Sequence, residues 1–344
     1  MAQSAEAVLY AAGIKNPQRI EYLIQKSINT LELDLSDLVV LTEAASRFYA
    51  VTPIIAAMAS AKKVIAFTRD SRFATAEDVI AQTTALRTLC HAPDVIEVHT
   101  QRDLSLFTQA DIVTNLGFVR PIDAEVIAHM KPTASISLMH EAWERRESDV
   151  DLAACRSKGI TLLGTNEDFP GVDVFSYCGW LAQKLLFDAE IEVYKSHVLV
   201  IGQDRFSKVI ASHFRQLGIE SHRRDTLTLA DVQDNQIDVI VIADYMRQDT
   251  IIGADGDVNP QELATIAPYI TLIQFAGRVD VAALQAAGLR VYPGKSLESQ
   301  RMMFTLAELG ARPVVELHAA GLKVGEIAQK TPANLTSSDL AQVI

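Results

Sequence analysis

The stretch 195–225 constrains the fold of this chain more than any other part of the sequence. It contains a short apolar run rich in β-branched residues, His197–Ile201, which ends at Gly202. Apolar residues then recur at helical spacing as far as Gly218, and Ile219–Arg224 has the character of a second short strand. A strand, a tight turn, a helix and a strand in this order predict the first βαβ unit of a dinucleotide-binding domain.

The turn of this unit departs from the usual fingerprint, G-x-G-x-x-G. That fingerprint brings backbone close to a pyrophosphate at a helix N-terminus, whose N–H groups attract anions. The six positions are here Gly202, Gln203, Asp204, Arg205, Phe206 and Ser207. Only the first glycine is kept, and Asp204 places a carboxylate where backbone would meet the phosphate. The pattern predicts a Rossmann-type fold and leaves open whether the turn still binds a dinucleotide.

The end of the second strand carries conflicting signals about the cofactor. Asp225 stands where an acid binds the ribose hydroxyls of NAD, whereas Arg223 and Arg224 just before it suit the 2′-phosphate of NADP. Gly277 follows a later predicted strand, Ile270–Phe275, and we include it among the candidate cofactor-binding residues. The sequence therefore predicts NAD or NADP as the cofactor without choosing between them.

Strands and helices alternate along most of the chain, which predicts parallel sheets covered by helices on both faces. The predicted fold class is α/β, with two Rossmann-like, doubly wound, mostly parallel domains joined by a long interdomain helix at Val172–Ala189. The tail from Thr331 is polar and is expected to be loose. The predicted divisions are an N-terminal helical arm (1–36), a first α/β domain for substrate and catalysis (37–170), a connecting helix (171–194), an NAD(P)-binding-like domain (195–298), and a C-terminal helix and tail packing back on the first domain (299–344).

Composition limits the partners of this chain. Its 344 residues are enough for two domains, and its net charge of -12 without a basic run argues against nucleic acid or anionic membrane as a partner. We expect no membrane span, no metal site and a cytoplasmic location, since no long apolar stretch, metal-ligand spacing or CxxC pair occurs. Apolar stripes on the N-terminal helices and the last helix predict a homodimer.

Polar residues follow strand after strand in the first predicted domain. Because ligands bind outside the carboxyl ends of parallel strands, these residues predict a polar cleft. They are Thr42-Glu43, Thr68-Arg69-Asp70, Asn115-Leu116-Gly117 with Arg120, His140-Glu141, and Thr165-Asn166-Glu167. His140 with Glu141 is a candidate acid–base pair, since imidazole exchanges protons near neutral pH and a carboxylate orients it. Arg120 is a candidate anchor for a substrate carboxylate.

Several segments between Asp149 and Lys295 resemble the NAD-dependent D-2-hydroxyacid dehydrogenases, which include formate and glycerate dehydrogenases. The matching segments are Asp151–Ile160, Thr165-Asn166, Val172–Ala189, Gly202–Asp225, Val279-Asp280 and Ala283-Leu284. The ending at Pro293-Gly294 is also similar to the Rossmann domain of dipicolinate synthase. The resemblance implies the fold, a dinucleotide cofactor, and a catalytic trio of arginine, acid and histidine. Arg278 lies one or two residues from the arginine position, and no glutamate matches.

Three functional hypotheses follow. The first is an NAD(P)-dependent oxidoreductase that acts on a small carboxylate- or carbonyl-containing substrate in a cleft between the domains, with His140, Glu141, Arg120 and Arg278 as catalytic candidates. The second is a non-redox ligand-binding or regulatory protein whose dinucleotide site is lost, and Asp204 is the residue that discriminates it from the first. The third is a methyltransferase built on the first domain, in which the segment 41–47 would be a nucleotide-binding loop without the required glycines. Whether the chain is an enzyme is left open.

Overall fold

The computed structural model describes residues 4–344, apart from the side chains of residues 334, 336 and 337. The chain divides into two compact units. Unit 1 comprises Met1–Val174 and Gly310–Ile344, and unit 2 comprises Phe175–Leu309. Each unit is an α/β structure, so the predicted fold class of two Rossmann-like, mostly parallel domains is confirmed.

The first segment of unit 1 alternates strands with helices. Its strands are β1 (Val39–Glu43), β2 (Lys63–Phe67), β3 (Ile96–His99), β4 (Ile112–Thr114), β5 (Ser135–Ser137) and β6 (Thr161–Thr165). Its helices are α1 (Ala5–Ala11), α2 (Pro17–Leu31), α3 (Val51–Met58), α4 (Ala76–Leu89), α5 (Ala124–His129) and α6 (Leu152–Lys158).

Unit 2 follows the same alternation. Its helices are α7 (Tyr177–Asp188), α8 (Arg205–Gln216), α9 (Leu229–Asp234), α10 (Pro260–Ile266) and α11 (Val281–Ala286). Its strands are β7 (Val198–Ile201), β8 (Ser221–Arg224), β9 (Val239–Ala243), β10 (Thr250–Ile252), β11 (Thr271–Ala276), β12 (Arg278–Val279) and β13 (Arg290–Tyr292). The chain then returns to unit 1 with α12 (Ala311–Lys330) and β14 (Ala341–Val343).

The sheet of unit 1 has seven strands in the order β14-β6-β5-β4-β1-β2-β3. All its neighbouring strands are parallel except β14, which runs antiparallel to β6. Successive strands spread outward in both directions from β1, so the strand order reverses between β1 and β4. In open α/β sheets the ligand site lies at such a switch point, beyond the carboxyl ends of the strands.

The main sheet of unit 2 has five parallel strands in the order β13-β11-β9-β7-β8. Its switch point lies between β7 and β9. The strands β10 and β12 form a separate two-stranded sheet. Leu199, Ile201, Ile240 and Ile242 are fully buried, which accounts for the continuous apolar runs of these strands.

Both chain ends belong to unit 1. The apolar stripe of α2 is buried, and this helix packs against α12, which also lies on α3 and on β4 to β6. Residues 5–31 therefore do not form a separate arm, and their stripe is not a free surface for a second copy. The tail expected to be loose is also ordered, because Ala341–Val343 pairs with β6.

The helix predicted at Val172–Ala189 is shorter in the structure and begins at Tyr177. The backbone before it turns through positive φ at Gly171 and Asp173, which ends any helical path there. Within unit 2, α7 packs on α8 at Gly179. A Cβ atom on Gly179 would lie 2.4 Å from Cβ of His213, so the two helices touch through this glycine.

Replacement of Gly179 by alanine is expected to destabilise the protein by about 1–3 kcal/mol, because the new methyl group forces α7 away from α8. The loss should appear although alanine favours the helix by about 1 kcal/mol. Urea unfolding monitored by circular dichroism measures it. Lys184→Ala, on the partly exposed side of the same helix, is the control and should change stability by less than about 0.5 kcal/mol. Equal stability of Gly179→Ala and wild type would contradict this packing.

Candidate functional site

The carboxyl ends of β1 and β4 bring a carboxyl group and a guanidinium group together in unit 1. Glu43 is the last residue of β1, and Gly117 lies in the turn after β4. A Cβ atom on Gly117 would lie 3.4 Å from Oε2 of Glu43 and 3.7 Å from Nη2 of Arg120. Glu43 and Arg120 therefore flank this glycine at the switch point of the sheet.

Glu43 is a buried carboxyl group at this edge. Its side chain is 5% exposed, and its Oε2 accepts a hydrogen bond of 2.7 Å from the Phe118 N–H. Burial raises the pKa of the Glu43 carboxyl to about 7, although this hydrogen bond and the charges of Arg120 and Arg69 act in the opposite direction. A carboxyl group with this pKa gains and loses a proton near neutral pH, as a general acid or base must.

Arg120 is held in place by an acidic partner. Its Nη1 lies 2.5 Å from Oδ2 of Asp149, and Nη1 of Arg146 lies 3.0 Å from the same oxygen. Burial opposes ionisation of Asp149, but these two guanidinium groups outweigh it and lower the pKa of its carboxyl. Asp149 therefore fixes the orientation of Arg120. A second cation lies nearby, since the guanidinium of Arg69 is 5.4 Å from the centroid of the Phe118 ring in the turn after β4.

His140 follows β5 and contacts the turn after β4. The Met139 N–H donates to Oδ1 of Asn115 (2.9 Å), so the Asn115 amide group donates to Nε2 of His140 (2.9 Å). The other ring nitrogen, Nδ1, then donates to the Glu141 carbonyl (3.0 Å). Burial lowers the pKa of His140 to about 4. A neutral imidazole with both nitrogens bonded is suited to holding the two turns together.

The Glu141 side chain is buried and bonded on both oxygens. Oε1 accepts from the Glu167 N–H (3.1 Å), and Oε2 accepts from Nε2 of Gln342 (2.6 Å). The Gln342 Oε1 accepts in turn from the Ala142 N–H (2.8 Å). Glu141 thus connects the turn after β5 to β6 and to β14. The structure places His140, Glu141 and Arg120 at one edge of the sheet, and the contacts of His140 and Glu141 position the turn.

Glu43, the carboxyl group of this edge whose pKa is raised, received no specific role from the sequence. The available signal was a charged residue at the end of an apolar strand, Leu38–Leu41 with Thr42-Glu43. Several other strands of unit 1 end in polar residues, so that signal did not separate Glu43 from them. Its burial and its distance from Arg120 depend on the pairing of β1 with β4, whose sequences lie about 70 residues apart.

In unit 2, Asp204 occupies the N-terminus of α8. Its Oδ1 accepts from the Phe206 N–H (2.9 Å), and its Oδ2 accepts from the N–H groups of Tyr245 (2.5 Å) and Met246 (3.1 Å). The neighbouring Asp244 accepts from the Gln203 N–H (3.3 Å). Burial raises the pKa of Asp204, and the nearby Asp244 adds to this rise. Two carboxyl groups therefore share the backbone donors at the ends of β7 and β9.

Gly202 and Ser207 retain structural roles in this turn. A Cβ atom on Gly202 would lie 2.2 Å from the Ala243 carbonyl oxygen, so only glycine fits. The Ser207 hydroxyl donates to the carbonyl oxygens of Gly202 (2.8 Å) and Asp204 (3.0 Å), and Nη1 of Arg223 also donates to the Gly202 carbonyl (2.5 Å). The first and last positions of the fingerprint thus shape the turn, and Asp204 differs from the fingerprint at the anion position.

Other predicted cofactor residues surround this turn. The guanidinium of Arg205 lies over the Phe175 ring at 4.3 Å, and Phe206 is buried with its ring centroid 5.2 Å from that of Tyr245. Asp225 is exposed at the end of β8 and forms an ion pair of 2.8 Å with Arg223.

The remaining candidate site residues of unit 2 are Gly277, Arg224 and Arg278. A Cβ atom on Gly277 would lie 3.0 Å from the Asp244 carbonyl oxygen, which places this glycine beside the turn. Arg224 instead pairs with Asp231 (2.8 Å), and the exposed Arg278 donates to the Gln248 carbonyl (3.1 Å). The structure therefore brings Gly202–Ser207, Asp225 and Gly277 together, whereas Arg224 and Arg278 are bonded to other parts of unit 2.

Residues 4–344 contain no group of three or more histidine, cysteine, aspartate or glutamate side chains arranged to hold a metal ion. Among the helices in that described range, none combines the length and the apolar character needed to cross a membrane.

Comparisons with known proteins agree with this architecture. No family model and no curated protein matches the sequence. Among solved structures, a dipicolinate synthase chain from Bacillus halodurans aligns with a TM-score of 0.51 and 10% identity, covering 86% of this chain and 99% of that chain. A putative D-3-phosphoglycerate dehydrogenase from Ralstonia solanacearum aligns with a TM-score of 0.47 and 11% identity, covering 87% and 94%.

An NAD-dependent formate dehydrogenase from Staphylococcus aureus, in complex with NAD, aligns with a TM-score of 0.40 and 11% identity, covering 83% of this chain and 92% of that chain. At these identities the likeness is one of fold. The resemblance predicted from the sequence, to D-2-hydroxyacid dehydrogenases and dipicolinate synthase, is confirmed at that level. The chain has a Rossmann-type α/β fold of two units.

The raised pKa of Glu43 predicts how stability depends on pH. Between pH 4.5, the usual value, and about 7, the folded chain keeps a proton that the unfolded chain has lost. Stability should therefore fall as the pH rises through this window, by about 3 kcal/mol in total. Glu43→Gln keeps an acceptor for the Phe118 N–H without a charge, and calorimetry should find it more stable than wild type at pH 8 and equal at pH 4. Glu77→Gln, an exposed control, should follow wild type; identical pH profiles for all three would contradict a raised pKa.

The contact between Asn115 and His140 predicts a second titration. Asn115→Asp replaces the amide donor at Nε2 by a carboxylate, which favours the protonated imidazole. The pKa of His140, about 4 in wild type, should rise by about one unit or more, measured by NMR of the ring protons. Asn166→Asp adds the same charge on the neighbouring strand end without contacting the imidazole. A shift of equal size in both variants would show that His140 does not depend on this contact.

Proposed function

We propose that this protein binds a small carboxylate- or carbonyl-containing molecule at the switch point of unit 1 and exchanges a proton with it through Glu43. The observation that carries the proposal is the buried Glu43 carboxyl, with a pKa of about 7, beside the guanidinium of Arg120. A strongly perturbed acid next to a fixed cation, at the carboxyl ends of parallel strands, is the arrangement expected of a functional site.

The residues of this edge suit separate tasks. Arg120, oriented by Asp149, offers the planar donors that bind a carboxylate in two-pronged fashion. Glu43 in its protonated form donates to a carbonyl oxygen of the ligand, and in its ionised form it accepts a proton from carbon or oxygen. Asn115 and His140 hold the turns after β4 and β5 at a fixed distance. Glu141 secures the second of these turns through β6 and β14.

A second candidate function is NAD(P)-dependent oxidoreduction of the same class of substrate. It is favoured by the dehydrogenase-like fold and by the βαβ unit of unit 2, where Gly202 and Ser207 shape the turn and Asp225 ends the second strand. A pyrophosphate does not fit this turn as it stands, because Asp204 holds the N–H groups that would receive it. We therefore derive no hydride-transfer step from this geometry.

Three other expectations stay predictions from the sequence. The segment 41–47 contains no glycine, and the methyltransferase hypothesis gains no supporting contact from the structure. A homodimer and a cytoplasmic location likewise stay predictions.

The proposal predicts a specific pattern of ligand binding. Calorimetric titration with a panel of small 2-oxo and 2-hydroxy carboxylates should find ligands whose affinity changes with pH around 7, the pKa of Glu43. Arg120→Lys should weaken them about tenfold, since lysine cannot bind a carboxylate with two parallel hydrogen bonds. Glu43→Gln should remove the pH dependence. Amide analogues of the same ligands should bind poorly to wild type.

Arg156→Lys, an exposed change of the same kind on α6, is the control for Arg120→Lys and should leave affinity unchanged. Failure of the whole panel to bind, or equal effects of the two arginine changes, would count against a carboxylate site at this edge.

A further inference from the structure

The turn after β7 has the geometry of an anion-binding turn, but a carboxyl group of the chain itself already occupies its donors. We infer that Asp204 is an internal substitute for a cofactor phosphate, so that unit 2 excludes NAD and NADP until this side chain is replaced. The residues involved belong to unit 2 alone. A test of dinucleotide binding therefore decides between the two candidate functions without affecting the site of unit 1.

The backbone donors of this turn are already occupied. A dinucleotide on this fold places its pyrophosphate at the N-terminus of the first helix, on the backbone N–H groups of the turn. In this chain the Phe206 N–H at that helix end donates to Oδ1 of Asp204. Two further N–H groups, of Tyr245 and Met246 after the neighbouring β9, donate to Oδ2. The side chain of Asp204 therefore accepts hydrogen bonds from three backbone N–H groups at the switch point.

Charge also opposes a phosphate at this turn. The Gln203 N–H, another donor of the turn, is bonded to Asp244, so a second carboxyl group stands beside the first. A phosphate entering here would meet the two acids at close range and would need donors that they already hold. Like charges at such separations disfavour each other strongly in a partly buried site. Both the loss of donors and the repulsion act against a dinucleotide.

The rest of the turn keeps the shape that a dinucleotide requires. Gly202 still makes the close approach to the Ala243 carbonyl, and Ser207 still lies against the turn through its hydrogen bonds. Asp225 still stands at the end of β8. Replacement of Asp204 by glycine would restore the spacing Gly-x-Gly and release three N–H groups. Asp204 is therefore the residue that determines which ligands this turn accepts.

The test is calorimetric titration of the full chain with NADH and with NADPH. Wild type should bind neither more tightly than about 1 mM, and Asp204→Gly should bind one of them at about 10 µM, a gain of about 100-fold. Asp204→Asn removes the charge and keeps the helix cap through its single carbonyl oxygen, so the Phe206 N–H stays occupied whereas the N–H groups of Tyr245 and Met246 lose their acceptor. It should therefore gain less affinity than Asp204→Gly. Asp280→Gly removes the N-cap residue of α11 in the same unit and should gain nothing.

Circular dichroism confirms that each variant is folded before titration. If Asp204→Gly does not fold, Asp204→Ser caps α8 with a shorter, uncharged group and should show a smaller gain in the same direction. Micromolar binding of either dinucleotide by wild type would overturn the inference and favour the oxidoreductase. A folded Asp204→Gly variant that binds neither dinucleotide would also overturn it, and would leave the proposal for unit 1 untouched.

Discussion

In both units, the properties of the candidate ligand position depend on a carboxyl group that is buried after the end of a parallel strand. Such a group must either be compensated by donors or keep its proton, since an uncompensated buried charge is very costly. Glu43 receives one backbone hydrogen bond at 2.7 Å, and its pKa rises to about 7. Asp204 receives three, from two different segments of unit 2. The same chemistry therefore yields a group able to exchange a proton near neutral pH in one unit and a carboxyl group held by backbone donors in the other.

The strand orders explain why these groups stand where they do. In unit 1 the order reverses between β1 and β4, and in unit 2 it reverses between β7 and β9. At each reversal the following helices leave toward opposite faces of the sheet, which opens a crevice beyond the strand ends. Glu43 ends β1, and Asp204 follows β7 as the N-cap of α8. Each acid thus lies at the position where its unit would receive a ligand, and the contacts of each decide whether the position is open.

Local patterns were sufficient to predict the fold, whereas the roles of the site residues required contacts between distant segments. Alternating apolar strands and helices predict two parallel α/β units, and the 195–225 stretch predicts the turn at Gly202 correctly. The pairing of Glu141 with Gln342, about 200 residues later, has no local signal, so its side chain resembled a catalytic acid. The same limit applies to the ordered tail, since β14 is recognisable as a strand only by its pairing with β6. The unusual residue at Asp204 was visible in the sequence, but its partners at Tyr245 and Met246 were not.

The turn of unit 2 also shows how a dinucleotide fold can persist without its ligand. The N–H groups at the start of a helix lack partners within the helix, and a bound phosphate normally satisfies them. An aspartate at this position provides the same acceptors permanently and, as an N-cap, contributes about 1 kcal/mol to the helix. Asp204 also accepts hydrogen bonds from the segment after β9. These bonds connect the turn after β7 to the end of β9, the neighbouring strand at the switch point. A substitution that closes a cofactor site thereby stabilises the turn that the cofactor would otherwise complete, so the presence of a Rossmann-type fold does not by itself imply that the cofactor is bound.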